Sequence, residues 1–188
     1  SVVGSTSLSI NKIEFDSRLI SDGDMYIAIT GVNVDGHSFI SQAIQNGANC
    51  IVCEKTPDKK TDGIVYVNVK SSRKALAIIS SNYFDNPSSK LNLIGVTGTN
   101  GKTTIATLLF DLYTELEIKS GLISTVKISY DNKNFQANQT TPDSLSINRF
   151  LSEMVNSNVR YCFMEVSSHG IDQNRTDGLV FKGGIFTN

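Results

Sequence analysis

The sequence predicts an α/β protein whose parallel sheets are covered by helices. Short apolar runs of strand length alternate with segments in which apolar residues recur at helical spacing. A glycine-rich loop lies between one such strand and one such helix in the second half of the chain. Repetition of strand, loop and helix is typical of parallel sheets, because parallel neighbours need a crossover connection.

The first half of the chain, to about residue 88, predicts a small α/β unit. The helix expected at 39–47 has apolar residues at 39, 40, 43 and 44, and it ends at Gly47, a natural C-cap. A second helix is expected at 71–84, where apolar residues again recur at helical spacing. Strands are expected at 25–29, 50–53 and 64–69.

The second half begins after the polar, turn-forming segment 85–90, which contains Pro87. We place the domain boundary there, which gives domains 1–88 and 89–188. Helices are expected at 103–116 and 144–156. Strands are expected at 91–96, 121–130, 161–166 and 184–186.

Composition excludes several classes of function. The 188 residues carry a formal net charge of -1 with scattered basic residues, so we expect no nucleic-acid partner. No apolar run approaches the roughly 20 residues that span a bilayer, and the chain does not open on a secretory signal pattern. We therefore expect a cytoplasmic protein with no membrane insertion.

The three cysteines are predicted to be ordinary core residues. Cys50 and Cys53 have the C-x-x-C spacing of metal and redox sites, but they lie in an expected strand, where residues three apart point to opposite faces. The sequence offers no second Cys/His pair to complete a zinc site. Cys162 lies in another apolar strand, and free cysteine is among the most buried residue types.

The loop Gly98-Thr99-Asn100-Gly101-Lys102-Thr103-Thr104 predicts an ATP phosphate site. Glycines let backbone N–H groups approach phosphate oxygens, and the helix that follows adds its positive end. Lys102 can reach the terminal phosphates, and the Thr103 hydroxyl is placed to bind Mg²⁺. The general pattern requires glycine at position 96, where this chain has Val96, so the glycine spacing is irregular.

Four blocks of sequence, in order along the chain, resemble the Mur ligases. The run 95–104 resembles the ATP loop of that family, and 140–143 (Thr-Thr-Pro-Asp) resembles its substrate-binding threonine pair. The block 15–18 (Phe-Asp-Ser-Arg), with Gly23-Asp24 and Asp35-Gly36-His37 after it, resembles its N-terminal nucleotide-sugar domain. The run 165–170 (Glu-Val-Ser-Ser-His-Gly) resembles the E type of the family more than its C, D or F types.

The resemblance implies a small nucleotide-sugar domain followed by part of an ATPase domain with a parallel sheet. It also implies an ATP-dependent ligase that makes bacterial cell-wall precursors with Mg²⁺. Such an enzyme phosphorylates UDP-MurNAc-L-Ala-D-Glu to an acyl phosphate, and an amino acid then displaces the phosphate. We expect that amino acid to be meso-diaminopimelate, with L-lysine as the alternative. An F-type ligase and a stand-alone UDP-sugar-binding module remain open.

The resemblance also implies roles for individual residues. Lys102 and Glu165 are expected to be catalytic, and Thr103 and Glu165 to bind Mg²⁺. The residues expected to bind the UDP-sugar dipeptide are Phe15, Ser17, Val32, Asn33, Val34, Gln139, Thr140, Thr141, Ser167, Gln173 and Arg175.

Simpler interpretations of several of these residues stay open. Glu165 could be a solvated carboxylate at a strand end, and Thr140 and Thr141 could be turn residues before Pro142. Asp35-Gly36 could likewise be only a turn. His169 follows two serines, but the G-x-S-x-G pattern of a hydrolase is not met, so we expect a structural or supporting role.

The chain ends before several features that the resemblance implies. These are a second metal-binding histidine segment, a carbamylated lysine and a C-terminal domain for the incoming amino acid. We therefore expect a fragment with no ligase turnover alone and an exposed sheet edge, belonging to an enzyme that is monomeric at full length.

Overall fold

The structure is a computed structural model that describes residues 1–31 and 34–188, and it divides into two compact units. The units are Ser1–Leu76 and Ala77–Asn188. Their division falls within helix α2 (Ser72–Tyr83), and the domain boundary expected near residue 88 stays a prediction. In the two described ranges, every helix is too short or too polar to cross a bilayer.

The first unit contains a five-stranded sheet in the order β1-β5-β4-β3-β2. Strands β2 to β5 run parallel, and β1 pairs with β5 in the antiparallel direction. Helix α1 (Ile40–Gln45) and the first residues of α2 belong to the same unit as this sheet. The strands are β1 (Val2–Val3), β2 (Ile13–Glu14), β3 (Met25–Ile27), β4 (Cys50–Cys53) and β5 (Val65–Asn68).

Strand β4 forms the centre of the first core. All four of its residues are buried, as expected for a parallel strand that is covered on both faces. Ile51 belongs to one cluster with Tyr26 of β3 and Ala43 of α1. The apolar spacing that predicted α1 therefore marks the face of the helix that packs on the sheet.

The second unit contains a six-stranded sheet in the order β11-β6-β10-β7-β8-β9. The first four strands in that order are parallel, and β8 and β9 continue the sheet as an antiparallel hairpin. The strands are β6 (Asn92–Thr97), β7 (Ser120–Ile123), β8 (Lys127–Tyr130), β9 (Lys133–Gln136), β10 (Tyr161–Glu165) and β11 (Gly183–Phe186).

Three helices belong to the second unit, and two of them contribute to its cores. They are α3 (Lys102–Glu115), α4 (Ser144–Asn156) and the short α5 (Ser168–Asp172). Alternate residues of the central strand β10 belong to two different clusters, because successive side chains of a strand point to opposite faces of the sheet. Met164 joins a cluster with Leu151 of α4, and Phe163 joins a cluster with Ala106 of α3.

The single strand expected at 121–130 is wrong. The structure instead has β7 and β8 as antiparallel neighbours, joined by a turn at 124–126. Ser124 closes this turn, because its N–H and its hydroxyl both donate to the Lys127 carbonyl, at 3.0 and 2.9 Å. The turn residues carry no glycine or proline, so the segment gave no breaker signal.

Strand β11 lies at one edge of the second sheet, where its described partner is β6 alone. Phe186 at its end is 83% exposed. Leu108, Leu112 and Leu116, one turn apart along α3 and its end, are exposed as well. The second unit therefore presents apolar surface at this edge and on this helix.

The prediction that the cysteines are core residues is confirmed. All three are buried and free of disulfides. Burial raises the pKa of the Cys50 thiol to about 11 and also raises the pKa values of Cys53 and Cys162. Groups of three or more potential metal ligands among His, Cys, Asp and Glu do not occur within 1–31 and 34–188.

The raised thiol pKa values predict slow chemical labelling of the folded chain. At about pH 8, native protein should react with a thiol reagent far more slowly than the same protein in denaturing urea, because thiolate is the nucleophile. The pKa of Cys50 rises on folding from 9.0 to about 11. The contribution of this thiol to the free energy of unfolding is therefore complete below about pH 9 and is lost as the pH rises toward 11. Fast labelling of native thiols would contradict their burial.

Candidate phosphate and cation site

The candidate site lies at the carboxyl edge of the second sheet. Strands β6, β7, β10 and β11 are parallel, so the segments that follow them meet at one edge. The register pairs Glu165 of β10 with Val96 of β6, next to the start of the glycine-rich loop. Open parallel sheets place their ligands at this edge.

The two glycines of the loop are required by its backbone. Gly98 has φ +134°, and a Cβ there would lie 2.3 Å from the carbonyl oxygen of Thr187. Gly101 has φ +84° and immediately precedes helix α3. Other residues would be strained at both positions. The irregular glycine spacing therefore reflects the path of this loop between β6 and α3, past the end of β11.

The N-terminus of α3 is free to receive an anion. The first N–H groups of a helix have no intrahelical acceptor, and no side chain caps this one. Upstream in the loop, the N–H groups of Thr99 and Asn100 donate to the main-chain oxygen of Asn188, at 2.7 and 2.8 Å. An uncapped terminus of a 14-residue helix is a site at which phosphate oxygens bind.

Lys102 lies against its own loop. Its Nζ donates to the carbonyl oxygens of Gly98 and Thr99, at 2.8 and 3.2 Å. The sequence-based prediction placed this ammonium on terminal phosphates, and its position at the first turn of α3 is compatible with that role. Binding would require the ammonium to exchange carbonyl oxygens for phosphate oxygens. Thr104, in the same turn, is exposed.

Glu165 is fully buried, so the interpretation as a solvated carboxylate is wrong. Its Oε2 accepts from the Thr103 hydroxyl at 3.0 Å and from the Thr125 hydroxyl at 3.1 Å. Its Oε1 accepts from the Thr125 N–H at 2.8 Å. The ion pairs of the described residues do not include Glu165.

This arrangement fits a hard divalent cation. A buried carboxylate without a cationic side chain is costly, and a bound cation would compensate its charge. The oxygens of Glu165 and Thr103 are the donor type that Mg²⁺ prefers. The structure therefore brings together the two residues that the sequence predicted to bind metal, although they are 62 residues apart in the chain.

The threonine pair has two different roles in the structure. Thr141 is 1% exposed; its hydroxyl donates to the Glu165 carbonyl at 3.0 Å and accepts from the Ser167 N–H at 2.9 Å. It thereby joins the turn before α4 to the end of β10. Thr140 is only partly buried, and its hydroxyl contacts that of Thr125 at 3.0 Å. The interpretation of both as simple turn residues is wrong for Thr141.

Arg175 forms hydrogen bonds with three of the other residues that were predicted to bind the substrate. Its guanidinium donates to the side chains of Gln139 and Gln173 and to the Thr141 carbonyl. Ser167 lies beside this cluster, because its hydroxyl meets the Thr141 hydroxyl at 3.1 Å. Five residues between 139 and 175 thus form one polar group next to Glu165: Gln139, Thr141, Ser167, Gln173 and Arg175.

Phe15 and Ser17, which are predicted to bind the nucleotide, follow strand β2 at the carboxyl edge of the first sheet. Ser17 is buried, and its hydroxyl donates to Gln42 of α1 at 3.1 Å. Phe15 is partly buried, and Val34 is exposed. Val32 and Asn33 lie outside the described residues, so their predicted contacts stay predictions.

The polar residues around these positions shape the local backbone. Asp16 caps the turn 17–19 and pairs with Arg18 at 2.6 Å; the hydrogen bond from Arg18 lowers the pKa of Asp16. Asp35 likewise caps the turn 36–39 and accepts from the N–H of His37. The interpretation of Asp35-Gly36 as a turn therefore agrees with the structure.

The structure gives different roles from the sequence to two residues at the carboxyl edge of the second sheet. His169 is exposed on α5, and its ring has no hydrogen-bond partner among residues 1–31 and 34–188, so the structure gives it no part in the Glu165 network. Thr125, which no sequence motif marked, donates twice to Glu165. The signal that could have revealed it is a hydroxyl residue two positions after the end of a parallel strand.

Two family models match the chain. The Mur ligase middle domain matches residues 96–188, and the catalytic domain of the Mur ligase family matches residues 9–84. Among curated relatives, UDP-N-acetylmuramoyl-L-alanyl-D-glutamate–2,6-diaminopimelate ligases of Cytophaga hutchinsonii and Bacteroides thetaiotaomicron are 50% and 46% identical. Each alignment covers 100% of this chain and 39% of the relative, so the chain spans about two fifths of their length.

Solved structures agree on the fold. A UDP-N-acetylmuramoyl-L-alanyl-D-glutamate–2,6-diaminopimelate ligase superposes with a TM-score of 0.81 at 24% identity, covering 95% of this chain and 36% of that protein. The MurF ligase of Thermotoga maritima, solved in complex with ADP, gives a TM-score of 0.56 at 25% identity, covering 84% of this chain and 32% of that protein.

The two adjacent threonines provide a matched test of the site's packing. Thr141→Val should lower the free energy of unfolding by about 1–3 kcal/mol, because it leaves the partly buried Ser167 N–H and the buried Glu165 carbonyl without their partner. Thr140→Val, which removes a hydroxyl that is only partly buried, should cost less than about 1 kcal/mol. Urea unfolding of the two variants measures the difference. Equal losses would show that the Thr141 hydroxyl does not bind the end of β10.

Proposed function

Because this chain belongs to the Mur ligase family, we propose that it forms part of an ATP-dependent ligase that adds 2,6-diaminopimelate to UDP-N-acetylmuramoyl-L-alanyl-D-glutamate. One observation carries the proposal. The uncapped N-terminus of α3 adjoins a fully buried Glu165, in a chain that is 50% identical over its length to a ligase of that name. The product is a peptidoglycan precursor of the bacterial cell wall.

The glycine-rich loop is proposed to bind the phosphates of ATP. The N–H groups at the start of α3 would donate to phosphate oxygens, and the Lys102 ammonium would neutralise part of their charge. ATP supplies the phosphoryl group that makes a carboxylate of the precursor electrophilic. The ADP complex of the T. maritima MurF ligase, which is 25% identical, supports a nucleotide site in this fold.

Glu165 and Thr103 are proposed to hold Mg²⁺ beside those phosphates. The ion would stabilise the negative charge that develops during phosphoryl transfer. The chain's own part is to keep the carboxylate buried and aligned, through donors from Thr103 and Thr125.

The polar group at 139–175 is proposed to bind the sugar–peptide part of the precursor. The guanidinium of Arg175 is a group that can form a bidentate pair with a carboxylate or a phosphate. Thr141 links that guanidinium to the Glu165 main chain, through its carbonyl and its hydroxyl, and the Thr140 hydroxyl contacts Thr125 beside Glu165. The carboxylate to be activated would thus be held near the transferred phosphoryl group, which is the main requirement of this reaction.

The first unit is proposed to bind the uridine nucleotide through Phe15 and Ser17, which lie at the carboxyl edge of its sheet, and through Val32, Asn33 and Val34. Ser17 is positioned by Gln42, and Asp16 by Arg18. Contact through Val32 or Val34 would have to be apolar or through the backbone, since neither has a polar side chain. The buried free thiols fit a reducing compartment, so we propose that the ligase is cytoplasmic. We propose that it is a monomer from its resemblance to the family alone.

Substitution of Lys102 tests the ATP site. In a ligase that contains this chain, Lys102→Ala should lower kcat/KM for ATP by about 100- to 1000-fold, since one positioned cationic donor is lost. Calorimetry with Mg-ATP should show the matching loss of binding. Lys133→Ala, in the exposed edge strand β9, is the control and should leave both values unchanged. Absence of any lysine-dependent ATP binding would favour a stand-alone UDP-sugar-binding module.

The identity of the substrates tests the type of ligase. We expect turnover with the dipeptide precursor and 2,6-diaminopimelate, detected as release of phosphate and as a product of the expected mass. L-Lysine in place of 2,6-diaminopimelate is the first comparison. The second comparison is the tripeptide precursor with D-Ala-D-Ala, the F-type reaction. Turnover of that second pair alone would show that the ligase is of the F type.

A further inference from the structure

Thr125 connects the predicted cation site to the predicted substrate site. It lies in the turn between β7 and β8, where its N–H meets Glu165 Oε1 at 2.8 Å and its hydroxyl oxygen meets Glu165 Oε2 at 3.1 Å. The same hydroxyl oxygen lies 3.0 Å from the hydroxyl of Thr140. One residue therefore contacts both oxygens of the buried carboxylate and a residue on the substrate side.

The Thr125 hydroxyl is the donor in both of its side-chain contacts. It donates to Glu165 Oε2 and to the Thr140 hydroxyl oxygen, so its single hydrogen is shared between two acceptors. One hydroxyl therefore links the buried carboxylate to Thr140.

We propose that Thr125 is a positioning residue, which fixes the Glu165 carboxylate for the cation and couples it to Thr140. This inference rests on the proposed function. A glutamate side chain has several rotatable bonds, and donors on both oxygens restrict its orientation. Thr103 occupies only Oε2, whereas Thr125 contacts both oxygens.

The turn that holds Thr125 is itself well anchored. Ser124 is fully buried and exchanges hydrogen bonds with Lys127 in both directions. The Thr125 side chain, in contrast, is exposed. Loss of its hydroxyl would therefore create no buried cavity, and an effect on ligand binding can be separated from an effect on folding.

Three variants of a ligase that contains this chain test the inference. Thr125→Val removes the hydroxyl and keeps the shape and the N–H, and Thr125→Ser restores the hydroxyl. Thr114→Val is the matched control: its hydroxyl donates to the Phe110 carbonyl, at the other end of α3. For each protein we would measure the half-saturating Mg²⁺ concentration for ATP binding, the KM of the dipeptide precursor and the thermal midpoint.

Thr125→Val should raise the half-saturating Mg²⁺ concentration about tenfold, the usual effect of losing one hydrogen bond to a charged group. It should also raise the KM of the precursor several-fold. The thermal midpoint should fall only slightly, because Glu165 keeps the Thr103 hydroxyl and the Thr125 N–H as donors. Thr125→Ser should restore both values to within about twofold, and Thr114→Val should alter neither. Normal Mg²⁺ dependence in Thr125→Val, or a defect that serine does not restore, would overturn the inference. Absence of Mg-ATP binding in the unmodified ligase would instead contradict the proposed function, and this inference with it.

Discussion

A buried carboxylate at the end of a central parallel strand is the constraint on which the site depends. Glu165 is shielded from water, and the ion pairs of the described chain leave it without a cationic side chain. Such a group is tolerated only where donors or a bound cation compensate its charge. The donors come from Thr103 and Thr125, at the ends of two other elements. The site is therefore a product of three segments that must meet.

The parallel register makes that meeting possible. Strand β10 lies between β6 and β7, so the loop after β6 and the turn after β7 flank Glu165 from either side. The two faces of β10 are fixed by separate clusters, one with α4 and one with α3. A shift of one residue in β10 would exchange these faces and remove Glu165 from its donors. The same register of β10 is therefore required for the packing of the core and for the geometry of the site.

Helix α4 was predicted with its observed ends, Ser144 and Asn156, because its start and its apolar period are both local signals. Asp143 caps it by accepting from the Ser146 N–H. The hairpin of β7 and β8 was missed, because an apolar segment without glycine or proline conceals a turn. The short elements β2 and α5 were also not predicted, since two to five residues carry too little periodicity.

The sequence by itself determined the α/β class, the glycine-rich loop between a strand and a helix, the burial of the cysteines and the family to which the chain belongs. Each of these depends on residues that are close together in the chain, or on motifs kept in order along it. Only the tertiary structure decided that Glu165 is buried and that Thr125, 40 residues away, donates to it twice. Such contacts depend on strand order and register, which arise from the packing of the whole sheet and leave no local pattern in the residues that make them.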